Sequence, residues 1–544
     1  MGHQAIDRGQ APHRALIWPL CSTPLQEQVK LTMRQPLNPK VSGASPASAS
    51  LLQAMIVISA FLAFMLVLFS DFIAMAFGGY ADQRFLLIGL SGLMVIAPIL
   101  SFAVKPQVSI RRTLLLLSPA LILCVAFIAL ALPFRSQLYV WTEPGMYSFY
   151  FLAIVVSGGF LAWANGGVFY SRALISIIAA TCLIYGLASV NVYLFAIFDG
   201  QKNLINFIPW GFANIRYWSH IASWCLPLLP LAVMVGPLKE FKSWRIAVLL
   251  GAGMWWWILF LTTGRGSALG IAFGVGLTVL LFGRRALPWL KVFAVYLAVG
   301  IILWLLLSVL IPTMLSDGGV HIRAIHAGGS GRLPLFVEAW HMSLQNFPLG
   351  MGPQSWLTHD RLTETYSAVG KLGHPHNMYL MWAAEYGWAL IAALGLVVIQ
   401  AIRYFWKARS VLLTRAASQA SDEKLVMLAA LTASVSAALF HAGVSAVFMA
   451  PGSMLVGLFV LIAFWALIIP AEVDQSAGNE QRPRSKWNRV IILAVAAGLS
   501  FAWLVWAQGV WDYYQDMRED EELYYGEVGE GMLPRFWFHG NFPR

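Results

Sequence analysis

The chain has 544 residues, of which 59% are hydrophobic and only 11% are charged. Soluble domains average about 25% charged residues, so this composition excludes an ordinary soluble protein and indicates that most of the chain contacts lipid or other buried helices. A net charge of +11 would suit a nucleic-acid partner. The lysines and arginines instead collect in alternate loops between apolar runs, as in membrane proteins, so no nucleic-acid partner is expected.

The chain begins with a polar segment rich in proline and serine. Residues 1–50 are predicted to be a disordered cytoplasmic arm without a cleavable signal peptide, and Met33 is an alternative start. Apolar runs of about 20 residues follow, the length that crosses roughly 30 Å of hydrocarbon as a helix. The predicted spans lie near 51–70, 85–104, 113–133, 147–164, 173–197, 221–237, 246–262, 267–282, 292–311, 378–400, 425–447, 454–470 and 490–507.

These runs define the fold class, because backbone polar groups inside lipid must be satisfied within the segment. We predict an all-α fold, a polytopic membrane helical bundle of about 12–13 transmembrane helices over residues 51–507. Residues 508–544 are predicted to form an acidic periplasmic tail. Lysines and arginines collect in alternate loops, such as 239–245 and 403–424. Cytoplasmic loops carry this excess, so the N-terminus is predicted to be cytoplasmic and the basic residues to contact membrane lipids.

One connection between spans is long. In the predicted orientation, residues 312–377 form a large periplasmic loop that contains short helices and six of the eleven histidines. Loops longer than about 15 residues are usually functional or disordered, and the histidines favour function. The connections 198–220 and 263–266 and the turn around His441 are predicted to lie on the same side.

The segment His374-Pro375-His376-Asn377 lies where this loop meets a span. A histidine with an ordinary pKa near 6.5 can accept a proton from a hydroxyl, which makes His376 the candidate base. Asn377 would orient the ring or a sugar hydroxyl, and His374 is predicted to be a neighbour, because Pro375 directs the two away from a shared helical face. A two-histidine metal site is the alternative, but no carboxylate lies at ligand spacing beside them. No metal or other cofactor is therefore expected. The remaining loop histidines are predicted to be solvated: His321, His326, His341 and His359.

Two arginines lie in short outer connections between spans. Arg265 stands between Gly264 and Gly266 on the cation-poor side, where an arginine is costly unless it is paired or reaches the interface. We predict that it clamps an anion such as diphosphate; binding of a lipid phosphate is the alternative. Arg216 has aromatic neighbours just before a span. It is a candidate contact for a headgroup or sugar, and topology anchoring is equally compatible with its position.

A third arginine precedes an amphipathic pattern in the long loop. Leu333, Phe336/Val337, Trp340 and Leu344 recur at helical spacing, so residues 333–346 are predicted to form a short helix lying on the membrane. Arg332 comes just before the first turn, where a helix N-terminus favours phosphate oxygens. Standing alone, this arginine would more often be a solvated surface residue.

Glu385 is a carboxylate within the span that follows His376. Such groups are costly in the bilayer and usually have a partner. It lies about 180° around the helix from His376. We therefore predict a structural brace to a tyrosine or arginine of a neighbouring span.

These residues resemble motifs of the bacterial O-antigen ligase and O-antigen polymerase superfamily. Its ligases carry His, then Asn, Ser or Gln, nine residues, Gly, two residues, and Gly, Thr or Tyr; here His376-Asn377 is followed by Gly387, while Leu390 departs at the last place. The family's Arg-Gly turn is matched by Gly264-Arg265-Gly266. Its loop arginine, later tryptophan and Pro-x-Gly-x-Gly turn are matched by Arg332, Trp340 and residues 348–352.

The resemblance implies a metal-independent, inverting transfer of a glycan from an undecaprenyl-diphosphate carrier at the bacterial inner membrane, with the active site facing the periplasm. Arg265 and Arg332 would hold the diphosphate, with Arg216, Asn377, His374 and Trp340 as further substrate contacts and Gly387 as a structural position. The acceptor would be a lipid A–core sugar for a ligase, a glycan chain for a polymerase, or a pilin-like protein for an O-oligosaccharyltransferase. The motif spelling favours the ligase.

A polysaccharide transporter or flippase is the alternative from another class. Transporters tend to show inverted repeats and ionisable residues at mid-membrane. No clear internal repeat is found, and the polar candidates cluster at one face of the predicted bundle, so an enzyme is favoured.

Overall fold

A computed structural model describes residues 46–73, 76–104, 110–201, 204–212, 215–315, 331–366, 372–414, 419–470, 486–528 and 534–538. The predicted arm at 1–50 therefore lies almost wholly outside the described residues, as do His321 and His326. Regular structure in the described part of the chain is entirely helical, which confirms the all-α prediction.

Helices alternate with short connections throughout these ranges. In chain order the α-helices are α1 Pro46–Phe69, α2 Gly79–Val104, α3 Ile110–Ala131, α4 Thr142–Trp163, α5 Gly167–Phe198, α6 Ile215–Cys225, α7 Lys242–Leu261, α8 Arg265–Phe282, α9 Leu287–Trp304, α10 Ile311–Leu315, α11 Arg332–Gln345, α12 Ser355–Thr358, α13 Met378–Thr414, α14 Gln419–Ala442, α15 Pro451–Ile468 and α16 Lys486–Val528. A π-helical segment, Leu305–Leu310, joins α9 to α10.

The chain is a multi-pass membrane protein. Within the described ranges, eleven segments are long and apolar enough to cross a membrane, and one of them, Arg265–Met314, contains both α8 and α9. These two helices are separated at Gly283, whose φ is 53°. The eleven segments thus account for twelve of the predicted spans.

The remaining predicted span, 221–237, is not a continuous helix, and that prediction is wrong. Helix α6 ends at Cys225, and a 3₁₀ turn covers Leu229–Val233. Residues 218–232 are all buried, and Trp289 donates its indole N–H to the Pro227 carbonyl at 3.0 Å. Irregular backbone is tolerated at membrane depth where surrounding protein satisfies it.

Helices α8 and α14 pack closely through a line of glycines on α8. A Cβ atom added to Gly270 would lie 2.5 Å from the carbonyl oxygen of Ala437, and one added to Gly274 would lie 2.2 Å from that of Ala433. Small residues at this spacing let membrane helices approach closely. The packing fixes the start of α8, and with it Arg265, beside the end of α14.

Helix α13 is kinked where the long loop returns to it. Gly387 has φ 82° and ψ 173°, and the kink releases backbone groups that bond to the turn at residues 348–352. The amides of Met351 and Gly352 donate to the carbonyls of Ala384 and Glu385 at 2.9 and 2.8 Å. A Cβ atom on Gly387 would lie 2.1 Å from the Pro348 carbonyl oxygen. The kink at Gly387 and the turn at residues 348–352 therefore pack against each other and share backbone hydrogen bonds.

The amphipathic helix predicted at 333–346 is present as α11. Its inner face packs through Leu335, Ala339 and Met342 into a small second core with Trp356 and Ala384. The opposite face exposes the predicted apolar stripe, including Leu333, Trp340 and Leu344. Helix α11 thus lies beside α13 with an apolar face turned outward.

The C-terminal region differs from the predicted tail. Helix α16 continues past residue 507 to Val528, and Val510, Tyr513 and Met517 are buried. Farther on, the segment 534–538 packs Phe536 and Trp537 into the main core. A structural boundary at residue 507 is therefore absent from the described residues.

Candidate functional site

The histidine turn before α13 has an unusual backbone. His376 has φ 60°, a left-handed conformation that non-glycine residues adopt rarely and mostly where the surroundings enforce it. Its amide donates to Nδ1 of His374 at 3.0 Å. Although Pro375 separates the two residues, their rings meet edge to face with centroids 4.3 Å apart. His374 therefore holds the turn that presents His376.

Asn377 begins α13. Its Oδ1 accepts hydrogen bonds from the amides of Tyr379 at 3.0 Å and Leu380 at 3.1 Å. This is the N-cap arrangement, which satisfies amides that have no partner within the helix. The structure thus gives the amide oxygen of Asn377 a helix-capping contact, whereas the sequence predicted a contact to substrate.

His376 is in direct contact with Arg216. The guanidinium Nη1 lies 3.2 Å from His376 Nε2. A guanidinium only donates, so Nε2 accepts and the proton of the neutral ring is assigned to Nδ1. Burial lowers the pKa of His376 to about 3, and the positive charges of Arg216 and Arg332 act in the same direction. The ring is therefore neutral at neutral pH.

Arg216 and Arg332 act electrostatically on this histidine, and Arg265 acts on Arg332, so three helices contribute arginines to one charged cluster. Arg332, the first residue of α11, is half-buried; burial and then the charges of Arg216 and Arg265 lower its pKa. Arg265 is the first residue of α8. Helix N-termini favour anions through their free amides and dipole, so Arg265 and Arg332 add guanidinium groups to two such ends. The arrangement suits a ligand with several negative charges.

Sequence reasoning missed a second pair of histidines beside the arginines. His220 Nε2 lies 2.7 Å from Ser445 Oγ, and His441 Nδ1 lies 2.8 Å from Ser223 Oγ. The two rings are 5.0 Å apart. Arg216, His220 and Ser223 recur at i, i+4 and i+7 on α6, a spacing that could have revealed this polar face.

This pair links α6 to the turn that carries Arg265. A Cβ atom on Gly266 would lie 2.9 Å from His441 Nε2, and Ser267 donates its hydroxyl to the Ser219 carbonyl at 2.8 Å. The backbone of α8 therefore lies directly against the His441 ring and the first turns of α6. Glycine at position 266 permits that approach.

Trp340 is not brought to the histidines. Its ring lies 5.6 Å from that of Trp388, which follows the kink in α13. Trp340 is also 45% exposed. The structure places it on the outer apolar stripe of α11, away from the arginine cluster.

Glu385 has an arginine partner, but from an unexpected part of the chain. Arg535 Nη2 donates to Glu385 Oε2 at 2.6 Å, and the Trp356 amide donates to Oε1 at 3.3 Å. Arg535 also binds both carboxylate oxygens of Glu143, at 2.7 and 2.9 Å. The sequence predicted a neighbouring span as the partner. A separation of 150 residues along the chain gives no local signal for this pair.

His359 was predicted to be solvated, which is wrong. It is buried, and Nε2 donates to Glu338 Oε1 at 3.0 Å. Glu338 also accepts from the Leu362 amide at 2.7 Å. This buried pair ties α11 to the following loop. His341, in contrast, is exposed.

A metal site was also sought in the described part of the chain. No group of three or more His, Cys, Asp or Glu residues there is placed to hold an ion. The charged groups around His376 are instead guanidiniums.

Comparison with known proteins gives one result. Residues 246–395 match the protein family described as O-antigen ligase. The matched segment contains Arg265, Arg332, the His374–Asn377 turn and the Gly387 kink. No curated protein matches the chain.

Proposed function

We propose, from the match of residues 246–395 to the family described as O-antigen ligase, that the chain is a membrane enzyme that transfers a glycan from undecaprenyl diphosphate to a hydroxyl of lipid A–core. The reaction inverts the anomeric centre and uses no metal ion. The observation that supports it most is the contact of Arg216 with neutral His376, with Arg332 close enough to lower the pKa of that histidine and Arg265 close enough to lower the pKa of Arg332.

The arginines bind the diphosphate of the donor. A guanidinium keeps its charge when partly desolvated, and its planar fork makes paired hydrogen bonds to phosphate oxygens. The three positively charged guanidiniums repel one another in the free protein. Binding of the negatively charged diphosphate offsets that repulsion. As the sugar–phosphate bond breaks, negative charge grows on the leaving oxygen, and fixed cations stabilise it most in the transition state.

His376 acts as the base. In the free protein Arg216 occupies Nε2; when the donor arrives, its phosphate oxygens draw the Arg216 guanidinium away. The acceptor hydroxyl then gives its proton to Nε2 while its oxygen bonds to the anomeric carbon. The bond from that carbon to the phosphate oxygen breaks on the opposite face, and undecaprenyl diphosphate leaves with the electron pair.

A cavity bordered by Tyr217 and Ile221 of α6 has the size and lining for sugar residues. It has a volume of about 410 Å³ and is lined by Asp71, Tyr80, Gln83, Trp210 and Tyr217, among others. Ligand sites commonly fall in the range of about 300–1,000 Å³. Tyr217 follows Arg216 directly on α6, and in this proposal a glycan attached to the bound diphosphate extends toward this cavity.

The lipid part of the donor reaches the site from the side. Helix α11 begins at Arg332 and turns Leu333, Trp340 and Leu344 outward. An exposed apolar stripe of this kind suits contact with acyl or prenyl chains. The distribution of lysine and arginine supports an orientation in which this end of the bundle faces the periplasm from the bacterial inner membrane.

Reconstitution tests the proposal. Proteoliposomes containing the purified protein would receive undecaprenyl-diphosphate glycan, a chelator, and either core lipid, a second carrier-linked glycan or a pilin-like protein. We expect glycosylation of core lipid that the chelator does not reduce, with inverted anomeric configuration by NMR.

Each other outcome has a defined meaning. Transfer to the second glycan or to pilin would instead identify a polymerase or an O-oligosaccharyltransferase. Failure to transfer to any acceptor, together with proton-coupled glycan transport that needs Glu385 but not His376, would replace the enzyme with a transporter.

A further inference from the structure

The segment 534–538 is inserted among the helices at the site end of the bundle. Phe536 and Trp537 are buried, and the backbone is held by α2: Tyr80 donates its hydroxyl to the Arg535 carbonyl at 2.8 Å, and Arg84 Nε donates to the Phe536 carbonyl at 3.0 Å. The Arg84 guanidinium also lies over the Phe536 ring, 4.9 Å from its centroid. These contacts fix the position of Arg535.

Arg535 is fully buried and joins three separate parts of the chain. It binds Glu143 at the start of α4 through two hydrogen bonds, Glu385 in α13 through a third, and the Gly373 carbonyl through Nη1 at 3.0 Å. Removing one partner from a buried ion pair leaves an uncompensated charge, which is strongly destabilising.

The contact to Gly373 connects this network to the site. Gly373 directly precedes His374, whose Nδ1 accepts the amide hydrogen of His376. His376 in turn keeps a left-handed backbone, which persists only when surrounding contacts enforce it. Glu385 also accepts the Trp356 amide, so the same network anchors the other side of the loop.

We infer that Arg535 is a positioning residue for glycan transfer, setting the His374–His376 turn through its hydrogen bond to the Gly373 carbonyl. This role rests on the proposed function, because His376 is the base that it positions. The C-terminal segment is then a working part of the site and not a dispensable tail. A displacement of about 1 Å at a reacting group can cost roughly 100-fold in rate.

The test uses full-length variants in which charge compensation and the Gly373 contact are separated. Arg535→Met leaves two buried carboxylates unpaired and is expected to lower both thermal stability and kcat. The triple variant Glu143→Gln, Glu385→Gln, Arg535→Met removes all three charges. We expect it to regain most of the thermal stability that Arg535→Met loses. Its donor KM should stay within about threefold of the wild-type value, while its kcat should remain roughly 100-fold below that of the wild type.

Two further variants complete the design. Arg535→Lys keeps the charge but replaces the planar fork; it should keep stability and lose kcat, which keeps the test decisive if the triple variant does not fold. Arg518→Met is the matched control, because Arg518 pairs with Glu521 on the exposed part of α16. Its kcat should equal that of the wild type.

A kcat near the wild-type value in either the triple variant or Arg535→Lys would overturn the inference and leave Arg535 as a charge-compensating residue. A second readout does not need activity: carbethoxylation of His376, followed by mass spectrometry. His376 is only 3% exposed, so it should be protected in the wild type and modified faster in the triple variant, and equal rates would also overturn the inference. If the wild type transfers no glycan, the proposed function fails, and this modification still reports whether Arg535 sets the turn.

Discussion

His376 combines two properties that follow from its surroundings. It is neutral, because burial and two nearby guanidiniums lower its pKa to about 3, and its Nε2 is the nitrogen that Arg216 contacts. A base with so low a pKa is weak. In the proposed mechanism, bound diphosphate changes both properties, since its negative charge offsets the arginines and competes for Arg216. The proposal therefore makes the free site an inactive form that the donor activates.

This account predicts different pH dependences for kcat/KM and kcat. The neutral ring is the active form, so activity falls as pH decreases through the pKa of His376. The free protein, reported by kcat/KM, should show no loss from His376 between about pH 8 and about pH 5. In the donor complex the pKa rises, so the acidic limb of kcat should lie at higher pH. Initial rates across this range measure both limbs.

Arg216→Gln supplies the control for that measurement. Removing the Arg216 charge should raise the pKa of His376 in the free protein and bring the acidic limb of kcat/KM closer to that of kcat. Arg361→Gln, at an exposed arginine of the same loop, should leave both limbs unchanged. If the acidic limbs of kcat and kcat/KM lay at the same pH in the wild type, activation by the donor would be contradicted.

At the residue scale, local motifs were informative and distant partners were not. His376, Arg265 and Arg332 each lie next to a glycine, a proline or a helix start, so short-range patterns identified them. Arg535 and Glu143 are 392 residues apart. Only the folded bundle brings them together, and no spacing rule could have paired them.

Among the structural elements, the kink in α13 is the joint between the long loop and the bundle. Replacing Gly387 by Ala forces a Cβ atom to within 2.1 Å of the Pro348 carbonyl oxygen at a residue with φ 82°. With ψ 173° this backbone lies in a region that is essentially restricted to glycine, so the conformational cost alone is about 1–3 kcal/mol, and the clash adds to it. We expect Gly387→Ala to lower the melting temperature and the yield of folded protein.

Gly395 in the same helix is a matched control. A Cβ atom there meets nothing within 4 Å, so Gly395→Ala should melt at the wild-type temperature or above, as expected for alanine in a helix. Equal melting temperatures for the two variants, measured in detergent, would show that the packing of Gly387 against residues 348–352 does not contribute to thermal stability.

The glycine stripe on α8 gives a second prediction at this scale. Gly274→Ala places a Cβ atom 2.2 Å from the Ala433 carbonyl oxygen and pushes α14 away from α8. Because α14 carries His441 and α8 begins at Arg265, the donor KM should rise along with a loss of stability. Gly276→Ala on the same helix meets nothing within 4 Å and should change neither. An unchanged donor KM in a folded Gly274→Ala protein would show that the packing of α8 against α14 does not affect donor binding.

Hydropathy predicted most of the helices, because a helix that crosses the bilayer needs a run of about 20 apolar residues that is easily recognised in the sequence. It failed at 221–237, where Trp289 satisfies a backbone carbonyl from another helix. Hydropathy also failed at α16, since the buried residues of 508–517 are Val510, Tyr513, Tyr514 and Met517, which alternate with exposed polar and charged residues. Both failures involve burial against protein, which hydropathy confused with exposure to lipid at 221–237 and with exposure to water at 508–517.

For the whole molecule, the cluster is assembled from parts that are far apart in sequence. Helices α6, α8 and α11 contribute Arg216, Arg265 and Arg332, and the turn before α13 contributes His376. Helix α14 and the segment 534–538 hold them in place through His441 and Arg535. The family match covers only residues 246–395. The site therefore depends on helices before and after the matched segment.

The most direct test of the central claim is a single-turnover measurement with His376→Ala in proteoliposomes containing labelled donor and core lipid. His341→Ala, at an exposed histidine of the same loop, is the control. The account predicts that folded His376→Ala binds donor as the wild type does, because the arginines remain, and transfers glycan about 100- to 10,000-fold more slowly. Transfer at a rate close to that of the wild type would contradict it.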